Sequence, residues 1–166
     1  MIMKALFIFL FSVTFNLIYS QNGKDTSFTV QSEYKKQLKK YPQIKIAIPQ
    51  QNPLVLEQKD IVYYTTENRS LHLDAYIFKA NEKRSAVVML HGGGWKSGDK
   101  SMMQPFAEKI ASYGYHCFAI EYRLSDEAQY PAGIEDVRKA ITYIKNNAEK
   151  FGVDVNKIAI LGQFYE

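Results

Sequence analysis

The stretch Ala86-Val87-Val88-Met89-Leu90-His91-Gly92-Gly93-Gly94-Trp95 decides the fold class of this chain. Five consecutive apolar residues without polar alternation suit a strand buried on both faces, and such strands sit at the centre of parallel sheets. Three glycines directly after it give up backbone entropy and add no packed side chain, so stability alone is a poor reason for them. They allow successive main-chain N–H groups to face one space that no side chain covers. A nest of that kind binds a phosphate, or the negative oxygen that develops on a carbonyl during acyl transfer. A tight structural turn is the plain alternative. A phosphate loop fits less well, because neither G-x-G-x-x-G nor G-x-x-x-x-G-K-[ST] is present. Trp95 either walls a cleft or packs as a partly buried side chain.

Downstream of the glycines the apolar spacing turns helical. Phe106, Ala107, Ile110 and Ala111 share one stripe, with Pro105 in the first turn and Gly114 as a stop. A strand follows from His116 to Tyr122. Ile134, Val137, Ile141, Ile144, Ala148 and Phe151 then recur at helical intervals and predict one amphipathic helix, opening after Pro131 and closing at Gly152. Lys157 to Leu161 gives a further buried strand. Upstream, 60–65 and 71–78 read as two strands joined by the polar turn Thr66-Glu67-Asn68-Arg69-Ser70. Leu71, Leu73, Ala75 and Ile77 face inward in the second, and its mixed opposite face predicts a sheet margin. The order β-β-β-α-β-α-β predicts an α/β fold with a mostly parallel sheet and helices on both faces.

The N-terminal third is less patterned. Ser32 to Lys40 predicts a short basic helix capped by Ser32, with Lys35, Lys36, Lys39 and Lys40 on a solvated face. Ile44, Ile46 and Ile48 alternate with Lys45 and Ala47 and predict a short strand ended by Pro49. Lys4, the apolar run Ala5 to Phe15 and the small residue Ser20 predict a cleaved signal peptide over residues 1–20. An uncleaved anchor and a buried N-terminal element are the alternatives. The run is short against the roughly 20 apolar residues of a membrane span, so no stable span is expected. The chain is expected to be exported, as a secreted or periplasmic protein.

Composition excludes several classes. The 166 residues are 46% hydrophobic and 23% charged with nine Gly and five Pro, which rules out low-complexity and collagen-like chains. A net charge of +4 from 21 basic and 17 acidic residues is slight, and no nucleic-acid partner is expected. The single cysteine, Cys117, rules out an intramolecular disulfide and any CxxC site; it lies within an apolar strand and reads as a small hydrophobe. No His-x-x-x-His spacing is present, so neither a metal nor a cofactor is expected.

Four stretches in order resemble the α/β-hydrolase superfamily, in particular the hormone-sensitive-lipase-like esterases and the secreted bacterial carboxylesterases. His91 to Trp95 with Lys96-Ser97-Gly98-Asp99-Lys100 resembles their oxyanion loop. Glu121-Tyr122-Arg123-Leu124-Ser125 resembles the end of their fourth strand, and Tyr130 to Val137 the start of the following helix. Phe151 to Gly162 resembles the approach to the nucleophile elbow. The resemblance implies the N-terminal half of an α/β-hydrolase fold, with a signal peptide over 1–20, an extension over 21–56 and an incomplete hydrolase domain over 57–166. It implies hydrolysis of a small-molecule or polysaccharide-linked carboxylic ester by a serine nucleophile. It places oxyanion-hole amides at Gly93 and Gly94, completed by the amide after the nucleophile. It implies that His91, Gly92, Trp95, Asp99 and Arg123 support the loop, the last two as an ion pair; that both are ordinary surface charges is the alternative.

The elbow departs from that family. Its Gly-x-Ser-x-Gly reads Gly162-Gln163-Phe164-Tyr165-Glu166 here, with phenylalanine in the place of the serine. The family's acid and histidine follow later strands. The resemblance therefore implies no catalytic residue in this chain, a fold truncated at the elbow and an inactive polypeptide. His72, His91 and His116 read as structural or solvent-facing residues, and a Ser97–His91 dyad has only proximity in its favour. The last strand is expected to be an unpaired apolar edge through which copies self-associate. The alternative to a hydrolase is a non-catalytic ligand-binding or self-associating remnant of the fold.

Overall fold

The computed structural model describes residues 27–163, so the signal peptide expected over 1–20 and the residues from Phe164 to Glu166 lie outside the described residues. The elements run α1 (Val30–Leu38), β1 (Val55–Thr65), β2 (Ser70–Phe78), β3 (Arg84–Leu90), a 3-10 turn (Lys100–Met103), α2 (Gln104–Ala111), β4 (His116–Ile120), α3 (Ala132–Asn146), α4 (Ala148–Phe151) and β5 (Val153–Gly162). From β1 onward this is the order expected from the sequence, with α4 as a detached last turn of the long helix. The detachment falls at Asn147, whose ψ of 19° leaves the helical range.

The sheet has the order β1-β2-β4-β3-β5. Strands β1–β2 and β2–β4 pair antiparallel, while β4–β3 and β3–β5 pair parallel. The sheet is thus mixed, which corrects the mostly parallel expectation. A short polar turn joins β1 to β2, and a parallel crossover needs a dozen or more residues. β2 lies inside the sheet, not at its margin. The last strand is not unpaired either: Ala86 to Leu90 of β3 match Ile158 to Gly162 of β5 in register. β5 is paired along that side and stands at the margin of the described sheet, and the self-association argued from an unpaired strand has no support.

Alternate residues of the central strands feed two cores. On one face Leu71, Leu73, Val88, Phe118 and Ile120 pack with Val137, Ile144 and Phe151 of α3 and α4. On the other, Tyr76, Met89, Cys117 and Ala119 pack with Met103, Ala107 and Ala111. The crossovers β3–α2–β4 and β4–α3–β5 therefore pass over opposite faces. The carboxyl ends of β3 and β5 lie side by side at that reversal, which is where open α/β sheets form their ligand crevice. The two stripes are narrower than read from sequence. Phe106 and Ile134 point outward, and Ala140 takes a core position instead.

Two N-terminal expectations change. Thr29, in an extended conformation, caps α1 by accepting the Ser32 N–H, and Ser32 Oγ accepts the Thr29 N–H in return. Ser32 is the third helical residue of a capping box and not the cap. The strand expected over 44–48 is irregular, with Ile48 exposed, because its backbone finds no ladder partner among the described residues. The four lysines of 35–40 are exposed, as expected.

His116 ties three elements together at the opposite end of the sheet from the glycine loop. Its Nδ1 accepts the Phe78 N–H at 3.2 Å, so its proton sits on Nε2, 3.1 Å from the Gly152 carbonyl. Burial holds its pKa below the ordinary histidine value, the Gly152 hydrogen bond opposes that, and the Arg84 charge adds to the lowering. A folded pKa below the unfolded one means that the unfolded state binds the extra proton. Its contribution is full above about pH 6.5 and is lost as the pH falls toward the folded value. Wild-type protein is expected to lose more of its urea midpoint between pH 7.5 and pH 5.5 than His116→Gln does. Equal losses would refute the assignment.

Candidate functional site

The loop after β3 is built so that two peptide groups turn their N–H atoms away from its interior. His91 is buried, and its ring stacks on Tyr122 with centroids 4.5 Å apart and planes 11° from parallel. The Tyr122 hydroxyl donates to the His91 carbonyl at 2.7 Å. His91 Nδ1 lies 2.8 Å from the Gly92 carbonyl oxygen, which can only accept, so Nδ1 carries the proton. The Gly93 carbonyl in turn accepts the N–H groups of Lys96 and Ser97, both at 3.1 Å, and the Ser97 hydroxyl at 3.4 Å. A trans peptide holds its C=O and the following N–H antiparallel. Tying down the carbonyls of Gly92 and Gly93 therefore aims the amides of Gly93 and Gly94 the opposite way. Among the described residues neither amide has an acceptor.

Glycine is required at Gly93 and Gly98. Gly93 has φ +117°, and a Cβ there would sit 2.1 Å from the Ser97 carbonyl oxygen. Gly98 has φ +95°, and its Cβ would meet the Gly92 oxygen at 2.5 Å and His91 Nδ1 at 2.7 Å. Gly98 thus closes the stem of the loop against the residues that open it.

Both free amides border a cavity of about 450 Å³. Gly162 and Gln163, at the carboxyl end of β5, line the same cavity, and the Gln163 N–H donates to the Leu90 carbonyl at 3.1 Å. Tyr122 forms part of its wall, and Phe28 and Glu33 close it from the N-terminal segment. Glu33 Oε1 lies 3.6 Å from Lys36, while Oε2 is buried without a hydrogen-bond partner among the described residues. Glu33 escapes sequence reading because nothing local to α1 announces that it docks over a loop sixty residues away.

Trp95 is exposed rather than partly buried, but it keeps contacts with its neighbours. Its ring tilts onto Tyr122 at 5.0 Å, and its carbonyl accepts the Ser125 N–H at 2.7 Å. It also borders the first cavity and a second of about 300 Å³ shared with Tyr130, Pro131 and Ile134. The expected Asp99–Arg123 pair is not formed. Asp99 Oδ1 accepts the Ser101 N–H at 2.8 Å and caps the 3-10 turn. Arg123 instead forks onto Asp136, with Nε–Oδ2 and Nη2–Oδ1 both 2.8 Å, and its own N–H reaches Oδ2 at 3.0 Å. Asp136 is fully buried, and an unpaired carboxylate there would be costly, so it takes the nearest cation.

The remaining candidates lie apart from the cavity. His72 Nδ1 is 3.3 Å from Glu121 Oε2, within a network in which Arg69 joins Glu121 and Glu127. Burial pushes the Cys117 thiol up to about 12, so it is no nucleophile at neutral pH. The Ser97 hydroxyl is directed at the Gly93 carbonyl. Among the described residues no Ser-His-acid triad is evident, no group of three or more His, Cys, Asp and Glu could hold a metal, and no helix is long and apolar enough to cross a membrane.

Comparison with known proteins points in one direction. The BD-FAE family profile matches residues 73–164. The carboxylesterase NlhH of Mycobacterium tuberculosis is 38% identical over 77 residues, covering 46% of this chain and 24% of the relative. Esterase LipC of the same organism is 35% identical over 78 residues, covering 46% and 19%. Among solved structures, the propionate-bound Est2 esterase of Thermogutta terrifontis superposes with a TM-score of 0.58 at 30% identity, covering 66% of this chain and 41% of that one. The Pyrobaculum calidifontis esterase gives 0.59 at 25%, covering 87% and 45%. The matched stretch thus spans about a quarter or less of these curated relatives and under half of the solved ones.

Proposed function

The chain belongs to the BD-FAE family, and from that membership we propose that it supplies the oxyanion-holding half of a carboxylic ester hydrolase. One observation carries the reading. The unbonded amides of Gly93 and Gly94 border the same cavity as Gly162 and Gln163, where the resembled fold places its nucleophile elbow. When a serine attacks an ester carbonyl, negative charge collects on the carbonyl oxygen, and fixed N–H donors stabilise it without reorganising. Gly93 and Gly94 are those donors. His91 and Gly92 hold the first peptide, Ser97 holds the second, Trp95 walls the cavity, and Asp99 and Arg123 fix the flanking turns. Among residues 27–163 no serine, histidine and acid come together as a triad, so the reading assigns this stretch the oxyanion donors alone. The substrate is a small-molecule or polysaccharide-linked carboxylic ester, and the protein is exported after removal of residues 1–20. A carboxylic acid is the product of such a reaction, and the Thermogutta esterase holds propionate.

Hydrolysis of p-nitrophenyl acetate by two polypeptides tests this. One is the 166-residue chain. The other joins it at Gly162 to the serine elbow and C-terminal half of the Thermogutta esterase. The chain alone is expected to stay at the buffer rate while the joined hydrolase turns over. A folded joined protein without turnover would overturn the reading. For export, N-terminal sequencing of the secreted product is expected to begin at Gln21, and a cell-retained product beginning at Met1 would refute it.

A further inference from the structure

A buried lysine stands just past the loop, and the oxyanion chemistry does not use it. Lys100 is 8% exposed, with Nζ 2.6 Å from Asp74 Oδ1 on β2 and 2.8 Å from Asp60 Oδ1 on β1. The Asp60 N–H donates to the same Asp74 oxygen at 2.9 Å. Asp60 reaches this point because the β1–β2 register shifts between Gln58 and Ile61, with Asp60 itself at φ +56°. A left-handed non-glycine residue and a buried ion pair both cost free energy, and a buried pair is weak grounds for stability. Burial works against the Lys100 charge, yet the hydrogen bonds to Asp60 and Asp74 prevail and raise its pKa.

Position in the sheet gives the group a use. Asp74 of β2 and Met89 of β3 are both register partners of Ala119 in β4. Met89 lies two residues before His91, where the loop leaves the sheet, and Lys100 lies where the loop returns. Gly98 already closes the stem on Gly92. Lys100 anchors the returning chain, at the start of the 3-10 turn, through Asp74 to the same rung of the sheet from which the loop departs.

We propose that Lys100 is a positioning residue: its bridge to Asp74 and Asp60 clamps both ends of the loop to one rung and thereby holds the Gly93 and Gly94 amides in place. The consequence for ester hydrolysis rests on the function proposed above, but the clamp is a property of this chain alone. Amide hydrogen exchange on the 15N-labelled 166-residue chain tests it, read at Lys96 and Ser97, whose N–H groups bond the Gly93 carbonyl. In Lys100→Met, protection at both is expected to fall at least about tenfold relative to that at Val88 and Phe118, and Lys100→Arg is expected to restore most of it. A uniform loss across loop and strands would mean that Lys100 only stabilises, and would overturn the clamp. So would unchanged protection at Lys96 and Ser97. Should Lys100→Met not fold, Asp60→Asn removes one counter-charge at an exposed position and is expected to lower loop protection about two- to threefold with the strands unaffected; no change there overturns the proposal equally. An inactive joined hydrolase would sink the ester reading and leave the exchange result decisive for Lys100.

Discussion

Gly93→Ala in the joined hydrolase is expected to lower kcat/KM for p-nitrophenyl acetate by at least about 10²–10³, the scale of losing one oxyanion donor. The added Cβ would lie 2.1 Å from the carbonyl oxygen and 2.7 Å from the carbonyl carbon of Ser97. Both are backbone atoms, and they can move only by breaking the bonds that Lys96 and Ser97 make to the Gly93 carbonyl. Once that carbonyl is free, the peptide rotates and the Gly94 amide loses its aim. Gly94→Ala makes the control, because no atom lies within 4 Å of its Cβ. Its φ of +61° costs an L-residue roughly 1–2 kcal/mol, but the N–H remains and the loop bonds survive. A much larger rate loss for Gly93→Ala than for Gly94→Ala is therefore expected. Near-UV circular dichroism of Trp95, the only tryptophan, should change in the first variant and hold in the second. Equal rate losses in the two variants would mean that the loop bonds do not set the amide direction.

The second large effect is on stability. Asp136→Ala is expected to cost about 3 kcal/mol, the low end for breaking a buried ion pair, since the Arg123 side chain is 23% exposed and water recovers part of its solvation. With urea m-values of about 1–3 kcal/mol per molar, the midpoint should fall by about 1–3 M. Asp136→Asn keeps the shape and one acceptor, and should lose less. The same substitution should loosen Trp95: a Cβ on Gly133, one turn before Asp136, would be 3.0 Å from that ring and 3.0 Å from the Arg123 carbonyl. A quench of Trp95 by iodide that increases in Asp136→Ala is the expected companion result. An unchanged urea midpoint would show that Arg123 and Asp136 do not hold the start of α3 to the end of β4.

Particular residues show how far the sequence could be read. The unbroken apolar run of β3 marked a strand between two parallel neighbours, and β4 and β5 occupy those places. Val137, Ile144 and Phe151 were identifiable as core by their spacing alone. Ile134, on the same stripe, is exposed and lines the cavity it shares with Trp95 and Tyr130. The place of the glycine loop was legible, because consecutive glycines after a buried strand free the backbone for a turn that no side chain covers. Its partners were not. His91 acts through its Gly92 hydrogen bond and its stack on Tyr122, thirty-one residues away. Asp99 and Arg123 look like partners along the chain, yet a closer acid for Arg123 arrives from α3.

What the amino-acid sequence determined by itself is local: where the backbone is extended or helical, which face is apolar, and where only glycine can follow a strand. Those features depend on steric limits and side-chain periodicity within a few residues, so they are written in the order of the chain. Only the tertiary structure decided that the sheet is mixed, that Arg123 meets Asp136, that Glu33 closes the cavity and that Lys100 reaches Asp74. Each of those follows from distance across the folded sheet, where burial makes an unpaired charge costly and the nearest counter-charge wins whatever its place in the chain.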